Sequence, residues 1–133
     1  MRIMIKLCFV LYALSIMLTS CTDKVGDWED NIELSQKEID FSSNADSVII
    51  TTKGNGWWIS NVRLNDVQIN LESVNTTESV FEIVEPEFII NRKNRTELQV
   101  TLFENTSADQ RELIIGVQDG NYFDTIRIIQ KSK

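Results

Sequence analysis

Short runs of alternating apolar and polar residues are the feature that most limits what this chain can fold into. From position 39 onward, the chain is a series of short β-branched and apolar runs, and no stretch keeps a helical period over three turns. Leu98, Val100 and Leu102 fall on one face of their run, while Gln99 and Thr101 fall on the other. Several half-polar strands of this kind predict antiparallel sheets packed face to face.

Clusters of Gly, Asn, Asp and Ser separate these runs and mark the turns. The expected strands are Glu38–Phe41, Ser47–Thr52, Trp57–Val62, Val67–Leu71, Val80–Val84, Phe88–Ile90, Leu98–Phe103, Glu112–Gln118 and Tyr122–Gln130. Lys53–Gly56 can supply the positive φ angles of a tight turn, and Asp119–Asn121 has the composition of a hairpin loop. This number of strands in about a hundred residues predicts an all-β, immunoglobulin-like antiparallel β-sandwich.

The N-terminus carries a different pattern, which is typical of a targeting signal. Arg2 and Lys6 precede the run Leu7–Met17, in which Ser15 is the only polar residue. This run is too short to cross a bilayer as a helix, which needs about 20 apolar residues. It therefore predicts a secretory signal that is removed from the mature protein.

The end of this signal resembles a lipoprotein processing site. Small residues precede Cys21 in the segment Leu18–Cys21, as in the lipobox of bacterial lipoproteins. The resemblance implies cleavage after Ser20 and a lipid on Cys21, whereas the alternative is an ordinary signal peptide with an incidental cysteine. The other cysteine, Cys8, would be discarded, so the mature domain has no thiol for a disulfide or a metal.

Three segments follow from this reasoning: a signal peptide at 1–20, an acidic tether at 21–37 and a β-sandwich at 38–133. Processing changes the net charge from −7 to 11 − 20 = −9. Acidic residues soon after the cysteine also resemble the surface-export signal of Bacteroidetes lipoproteins. The expected location is therefore the cell envelope, lipid-anchored in the outer membrane with the domain on the cell surface.

The composition excludes several functional classes. The chain of 133 residues has no histidine, which is the commonest general base and metal ligand. Its acidic balance, 13 Lys and Arg against 20 Asp and Glu, is the opposite of a nucleic-acid-binding surface. The one local basic cluster, Arg92, Lys93 and Arg95, is expected to protect a loop beside a sheet edge. We expect no catalytic residue, no metal site, no cofactor and no nucleic-acid partner.

The order of motifs in residues 36–133 resembles a known family. Trp57-Trp58-Ile59-Ser60 follows a Gly-rich turn, and later come an Asn-Thr loop, an Arg, an alternating strand and a closing apolar-x-apolar-x-Gln pattern. The residues that match at the C-terminal end are Asn105, Thr106, Arg111, Ile126, Ile128 and Gln130. This order resembles the BACON domain (Bacteroidetes-associated carbohydrate-binding, often N-terminal). The resemblance implies a β-sandwich and a carbohydrate ligand.

Adjacent tryptophans are the first candidates for function. In a strand, Trp57 and Trp58 point to opposite faces, so only one of them can belong to the core. Trp57 shares its face with Ile59 and is predicted to be the buried tryptophan of the sandwich. Trp58 shares its face with Ser60, and an exposed indole can stack on the apolar face of a sugar ring, although it can also pack under neighbouring loops.

Two other aromatic residues are further candidates for glycan contact. Tyr122 flanks the predicted hairpin tip, and Phe103 is out of phase with the apolar positions of its strand. For Phe103 the alternative is that it covers a sheet edge. The residues predicted for the structural core are Trp57, Ile115 and Ile128.

Two functional hypotheses follow. In the first, the protein is a non-catalytic module that binds a polysaccharide or mucin glycan through Trp58 and a neighbouring aromatic residue. In the second, it is a spacer or protein-interaction subunit of an outer-membrane assembly, with another envelope protein as its partner. The surface expected for the second role is a sheet edge or an apolar strip such as Phe103, Ile114 and Ile129.

Overall fold

The computed structural model describes residues 29–133, which form nine strands in two sheets. The strands are β1 (Glu38–Phe41), β2 (Asp46–Thr51), β3 (Trp58–Leu64), β4 (Val67–Gln68), β5 (Phe81–Val84), β6 (Phe88–Asn94), β7 (Glu97–Leu102), β8 (Arg111–Asp119) and β9 (Tyr122–Gln130). One sheet has the order β1-β9-β8-β3-β4 and the other has the order β2-β7-β6-β5. Neighbouring strands are antiparallel except β1 and β9, which are parallel. The fold is the immunoglobulin-like β-sandwich that the alternation predicts.

Two strands differ in length from the sequence-based expectation by three residues or more. β6 continues to Asn94 because its hairpin with β7 stays paired as far as Asn94 opposite Glu97. The polar residues of this stretch are what suggested an early end at Ile90. β4 has two residues instead of five, and its last contact with β3 is the hydrogen bond that the N–H of Ile69 donates to the carbonyl of Val62 at 2.9 Å.

Positive φ angles occur in two hairpins. Asn65 and Asp66, between β3 and β4, have φ of 47° and 65°, as the two central residues of a type I′ turn require. Gly120 has φ of 58° in the two-residue loop between β8 and β9, where the sequence predicts a hairpin. The expectation of positive φ in Lys53–Gly56 is wrong. Gly54 is required there for space, since an added Cβ would lie 1.9 Å from the carbonyl oxygen of Asn31.

The segment before β1 packs on the domain. Ile32 is completely buried, and its carbonyl accepts the N–H groups of Lys53 and Gly54 at 3.1 Å each. The N–H of Ser35 donates to the carbonyl of Thr51 at 2.8 Å, beside the end of β2. The folded domain therefore includes residues 30–37, and the predicted boundary between tether and domain at 37 is wrong. The predicted signal peptide, Cys21 and the rest of the tether lie outside the described residues.

The hydrophobic core lies between the two sheets. Its buried side chains are Ile32, Ile39, Phe41, Ile50, Trp57, Ile59, Val62, Ile83, Phe88, Ile90, Leu98, Val100, Leu102, Leu113, Ile115, Val117, Ile126 and Ile128. These include the three residues predicted for the core, Trp57, Ile115 and Ile128. Across residues 29–133, no helix is long and apolar enough to cross a membrane.

Buried amides hold the end of the sandwich where β9 finishes. Gln130 Nε2 donates to the carbonyls of Asn44 and Phe103, at 3.0 Å each, and its Oε1 accepts from Arg111 at 3.2 Å. Asn105 Nδ2 donates to the carbonyl of Lys131 at 3.0 Å and lies in the loop before β8. Both amides are fully buried, so each satisfies backbone groups that would otherwise lack partners. Polar residues behind the BACON resemblance thus have structural roles in this chain.

Candidate functional site

The outer face of the five-stranded sheet carries a row of three residues at one end. In the strand register Trp58 of β3 lies opposite Gln118 of β8, and Gln118 lies opposite Phe123 of β9. Directly opposed residues share a face, so we call Trp58, Gln118 and Phe123 the aromatic row. Strands in a sheet are about 4.8 Å apart, so the backbones of the two aromatic residues are about 10 Å apart. Phe123 is 64% exposed and Trp58 is half-buried.

Alternation places these side chains on the outside. Ile59, next to Trp58, is 1% exposed and points into the core, which turns Trp58 outward. Val117 does the same for Gln118, since it is completely buried. The Gln118 side chain is held in place, because its Nε2 donates to the carbonyl of Gly120 at 2.8 Å.

A second row of uncharged residues lies beside the first. Asn61, Gly116 and Thr125 oppose one another on β3, β8 and β9. A Cβ added at Gly116 would lie 2.3 Å from Asn61 Nδ2, so the Asn61 amide covers the glycine backbone. The face next to the aromatic row therefore offers amide and hydroxyl groups without charge.

Charged residues on this face lie further along the strands and pair with one another. Arg127 hydrogen-bonds Glu112 and is 3.4 Å from Glu38, while Arg63 is 4.0 Å from Asp66. The hydrogen bond that Arg127 donates to Glu112 is the main reason that the pKa of Arg127 is raised. These arginines are engaged with carboxylates, away from the aromatic row.

Tyr122 points to the other side of β9. It is half-buried, packs against the core, and its hydroxyl donates to Asp124 Oδ2 at 3.3 Å. Lys37 Nζ is 2.7 Å from the same carboxylate oxygen and 3.8 Å from Asp30. Tyr122 thus belongs to a polar cluster with Asp124, Lys37 and Asp30, which we call the N-terminal clamp. The structure does not bring Tyr122 onto the face that carries Trp58.

Titration of the N-terminal clamp follows from its contacts. Burial acts to raise the pKa of Asp30, but the N–H groups of Glu33 and Ile32, together with Lys37, lower it overall. The hydrogen bond to Asp124 is the main reason that the pKa of Lys37 is raised. Burial, followed by the charge of Asp124, raises the pKa of Tyr122. The lowered pKa of Asp30 and the raised pKa of Lys37 both favour the charged forms of these two groups near neutral pH.

Phe103 lies at the opposite end of the sandwich. It follows β7 of the other sheet and is 38% exposed, and its carbonyl accepts from Gln130 at the far end of β9 from Phe123. Of the three candidates for glycan contact, the outer face of the five-stranded sheet carries Trp58. Phe123 is not among the candidates predicted from sequence, although alternation places it on the face of β9 opposite to the buried Ile126.

Trp57 and Arg92 form a separate, buried arrangement. The Trp57 indole N–H donates to Thr52 Oγ1 at 2.9 Å, and the Arg92 guanidinium carbon lies 3.9 Å from the ring centroid. Arg92 is completely buried and donates to the carbonyls of Glu78, Asn94 and Arg95, at 3.0, 3.3 and 3.2 Å. Burial, with the charge of Arg95, lowers the pKa of Arg92. The prediction of a surface basic cluster that includes Arg92 is therefore wrong.

Comparisons with known proteins bear on the fold. No family model and no curated protein matches the chain. An NMR structure of a protein from Bacteroides thetaiotaomicron is 20% identical with a TM-score of 0.64, covering 82% of this chain and 93% of that one. An endo-fucoidan hydrolase of glycoside hydrolase family 107 is 10% identical with a TM-score of 0.45, covering 80% of this chain and 14% of that one. A tandem of titin immunoglobulin domains is 5% identical with a TM-score of 0.35, covering 74% of this chain and 45% of that one. Similarity to the Bacteroides protein supports the same sandwich fold.

Proposed function

We propose that this protein is a non-catalytic glycan-binding module of the bacterial cell envelope. The observation that carries the proposal is the aromatic row, in which Trp58 and Phe123 share one outward face on either side of Gln118. Aromatic faces stack on the C–H groups of pyranose rings, which present a flat apolar surface. Because sheet strands hold both side chains, little ordering is needed when a ligand binds.

The uncharged groups beside the aromatic row complete such a site. Asn61, Gln118 and Thr125 supply amide and hydroxyl groups that can hydrogen-bond sugar hydroxyls. Within residues 29–133, no group of three or more His, Cys, Asp or Glu side chains is positioned to hold a metal ion. The proposed mode is therefore direct stacking and hydrogen bonding.

The proposed location rests on the N-terminal sequence. Cys21 after the apolar run Leu7–Met17 favours a lipid anchor, and the acidic residues that follow favour export to the outer surface of the outer membrane. Metabolic labelling with a fatty acid tests this, since Cys21→Ala should abolish labelling and release the protein from membranes. Labelling that survives in Cys21→Ala would contradict the anchor.

Retention of the protein on immobilised polysaccharides and mucin tests the glycan proposal. Trp58→Ala and Phe123→Ala should each abolish or strongly reduce retention, with an unchanged near-ultraviolet circular dichroism spectrum outside the signal of the removed ring. Phe103→Ala is the matched control, because it removes an exposed aromatic ring at the other end of the sandwich. Equal loss in all three variants, or retention that does not depend on Trp58, would contradict the proposal.

A protein-interaction role is the second candidate, and exposed apolar residues on the four-stranded sheet favour it. Ile49 on β2 and Val84 on β5 are 53% and 61% exposed. The strip expected from sequence does not form one surface, because Ile114 and Ile129 lie on the five-stranded sheet whereas Phe103 follows β7 of the other sheet. Capture of a stable envelope protein that Ile49→Ser and Val84→Ser abolish, with no glycan retention, would favour this role.

A further inference from the structure

We infer that the aromatic row binds an internal stretch of an uncharged glycan chain, at least two sugar rings long. The inference rests on the proposed function and adds to it the class of glycan and the part of the chain that is bound. Three features support it: the spacing of the two aromatic residues, the width of the sheet at their level and the charges around them.

Spacing sets the length of the ligand. Trp58 and Phe123 are separated by two strand spacings, about 10 Å, with Gln118 between them. A single pyranose ring stacked on one aromatic side chain does not reach the other at this distance. Simultaneous contact with both requires consecutive sugar rings that cross β3, β8 and β9.

The width of the sheet indicates how the chain lies. At the level of the aromatic row the sheet is three strands wide in the described part of the chain, because β4 pairs only with Arg63 and Leu64 of β3. On the other side, β1 pairs with β9 from Arg127 to Gln130, away from Phe123. No strand therefore flanks the row at either end among the described residues. A sheet face with no flanking strand suits a chain that passes across it better than a chain end enclosed in a pocket.

The charges around the aromatic row favour neutral glycans over acidic ones. Anionic sugars bind best to Arg or Lys donors, which form charge-assisted hydrogen bonds with carboxylate or sulfate. The cations on this outer face in the described structure are Arg63 and Arg127, and both are beside carboxylates. Lys37 is paired with Asp124 behind β9. The whole chain is also acidic, with a net charge of −7, so an anionic polymer would meet repulsion.

The first part of the test measures retention on paired polymers. The neutral probes are dextran, laminarin, galactomannan and xyloglucan, and the acidic probes are dextran sulfate and polygalacturonate. Retention on a neutral polymer that Trp58→Ala abolishes is expected, together with at least tenfold weaker binding to the acidic probes. Stronger, salt-sensitive binding to an acidic probe would overturn the inference while leaving glycan binding intact.

The second part measures affinity against chain length by calorimetry, using oligosaccharides of one to six sugars from the retained polymer. At least a tenfold gain in affinity between one and four sugars is expected, and Phe123→Ala should remove that gain. Equal affinity for the monosaccharide and the tetrasaccharide would overturn the inference alone. Absence of Trp58-dependent retention on every polymer would overturn the proposed function and the inference together. Phe103→Ala serves as the control throughout.

Discussion

Trp57 and Trp58 are adjacent in the chain, yet they lie in opposite environments. Trp57 is 2% exposed, donates a hydrogen bond to Thr52 and stacks against the buried guanidinium of Arg92. Trp58 is half-buried on the outer face, in register with Phe123. One peptide bond thus separates an aromatic side chain of the core from one on the outer face of the sheet.

This contrast shows that aromatic content alone does not identify a binding site in a sandwich. The interior around Trp57 is closed, and each of the three guanidinium nitrogens of Arg92 there donates to a backbone carbonyl. The outer face combines the half-buried ring of Trp58 and the exposed ring of Phe123 with uncharged amides, which is the chemistry that suits a sugar. Substitutions in the interior should therefore change the free energy of unfolding, whereas those on the outer face should change ligand retention.

The largest expected effect is that of Trp57→Ala. Removing a fully buried tryptophan should lower the free energy of unfolding by about 3–5 kcal/mol, because it leaves a cavity and removes the surface on which Arg92 stacks. Trp58→Ala should cost about 1 kcal/mol or less while abolishing glycan retention. Urea denaturation of both variants measures the difference. Similar losses of stability would break the distinction between the two tryptophans.

Arg92→Met is expected to have the next largest effect. It removes the three hydrogen bonds that the charged guanidinium donates to the carbonyls of Glu78, Asn94 and Arg95. It should therefore lower the free energy of unfolding by about 2–3 kcal/mol. Arg92→Lys keeps the positive charge but loses the planar fork, so its stability should lie between those of Arg92→Met and the wild type. Stability of Arg92→Met equal to that of the wild type would mean that burial of this cation costs as much as its contacts return.

Much of the fold could be predicted from local pattern. Alternation predicts nine strands, each overlapping an observed strand along the chain. It also separates Trp57 from Trp58, because a strand's side chains change face at every residue. Arg92 has the same phase as the buried Phe88 and Ile90, but its polar stretch resembles a loop, so the sequence does not predict its burial. Ile32 was missed for a related reason: it is an isolated apolar residue in an acidic segment, and its burial depends on contacts with Lys53 and Gly54.

The candidate site could be predicted only in part. Trp58 follows from alternation, but its neighbour on the same face depends on how β3, β8 and β9 pair. That register joins residues about 60 positions apart, and no periodicity within one strand records it. Tyr122 and Phe103 were selected as aromatic residues near turns, and the pairing places both away from the aromatic row.

A smaller effect is expected at Gly116, which tests how closely the outer face is packed. Gly116→Ala should displace the Asn61 amide, since the new Cβ would meet Nδ2 at 2.3 Å, and should cost about 1 kcal/mol of stability. Glycan retention should weaken, because Asn61 lies beside the aromatic row. Gly116→Ala combined with Asn61→Ala should recover most of the stability. A double-mutant cycle with no coupling between these positions would show that the outer face is loosely packed there.

The smallest expected effect concerns the N-terminal clamp and its dependence on pH. The pKa of Asp30 is lowered from its ordinary value of 3.8, so its contribution to stability is present above that value and is lost as pH falls through the folded-state pKa. The stability difference between the wild type and Asp30→Asn should therefore be positive at pH 7 and shrink toward zero below pH 3.8. Asp40→Asn, which removes an exposed carboxylate from β1, is the control. A difference for Asp30→Asn that stays constant from pH 7 to pH 3 would mean that its hydrogen bonds to Ile32 and Glu33 do not depend on the charge. Because neither tryptophan is ionisable, a stability difference that depends on pH identifies the contribution of the N-terminal clamp and not that of the tryptophan contacts.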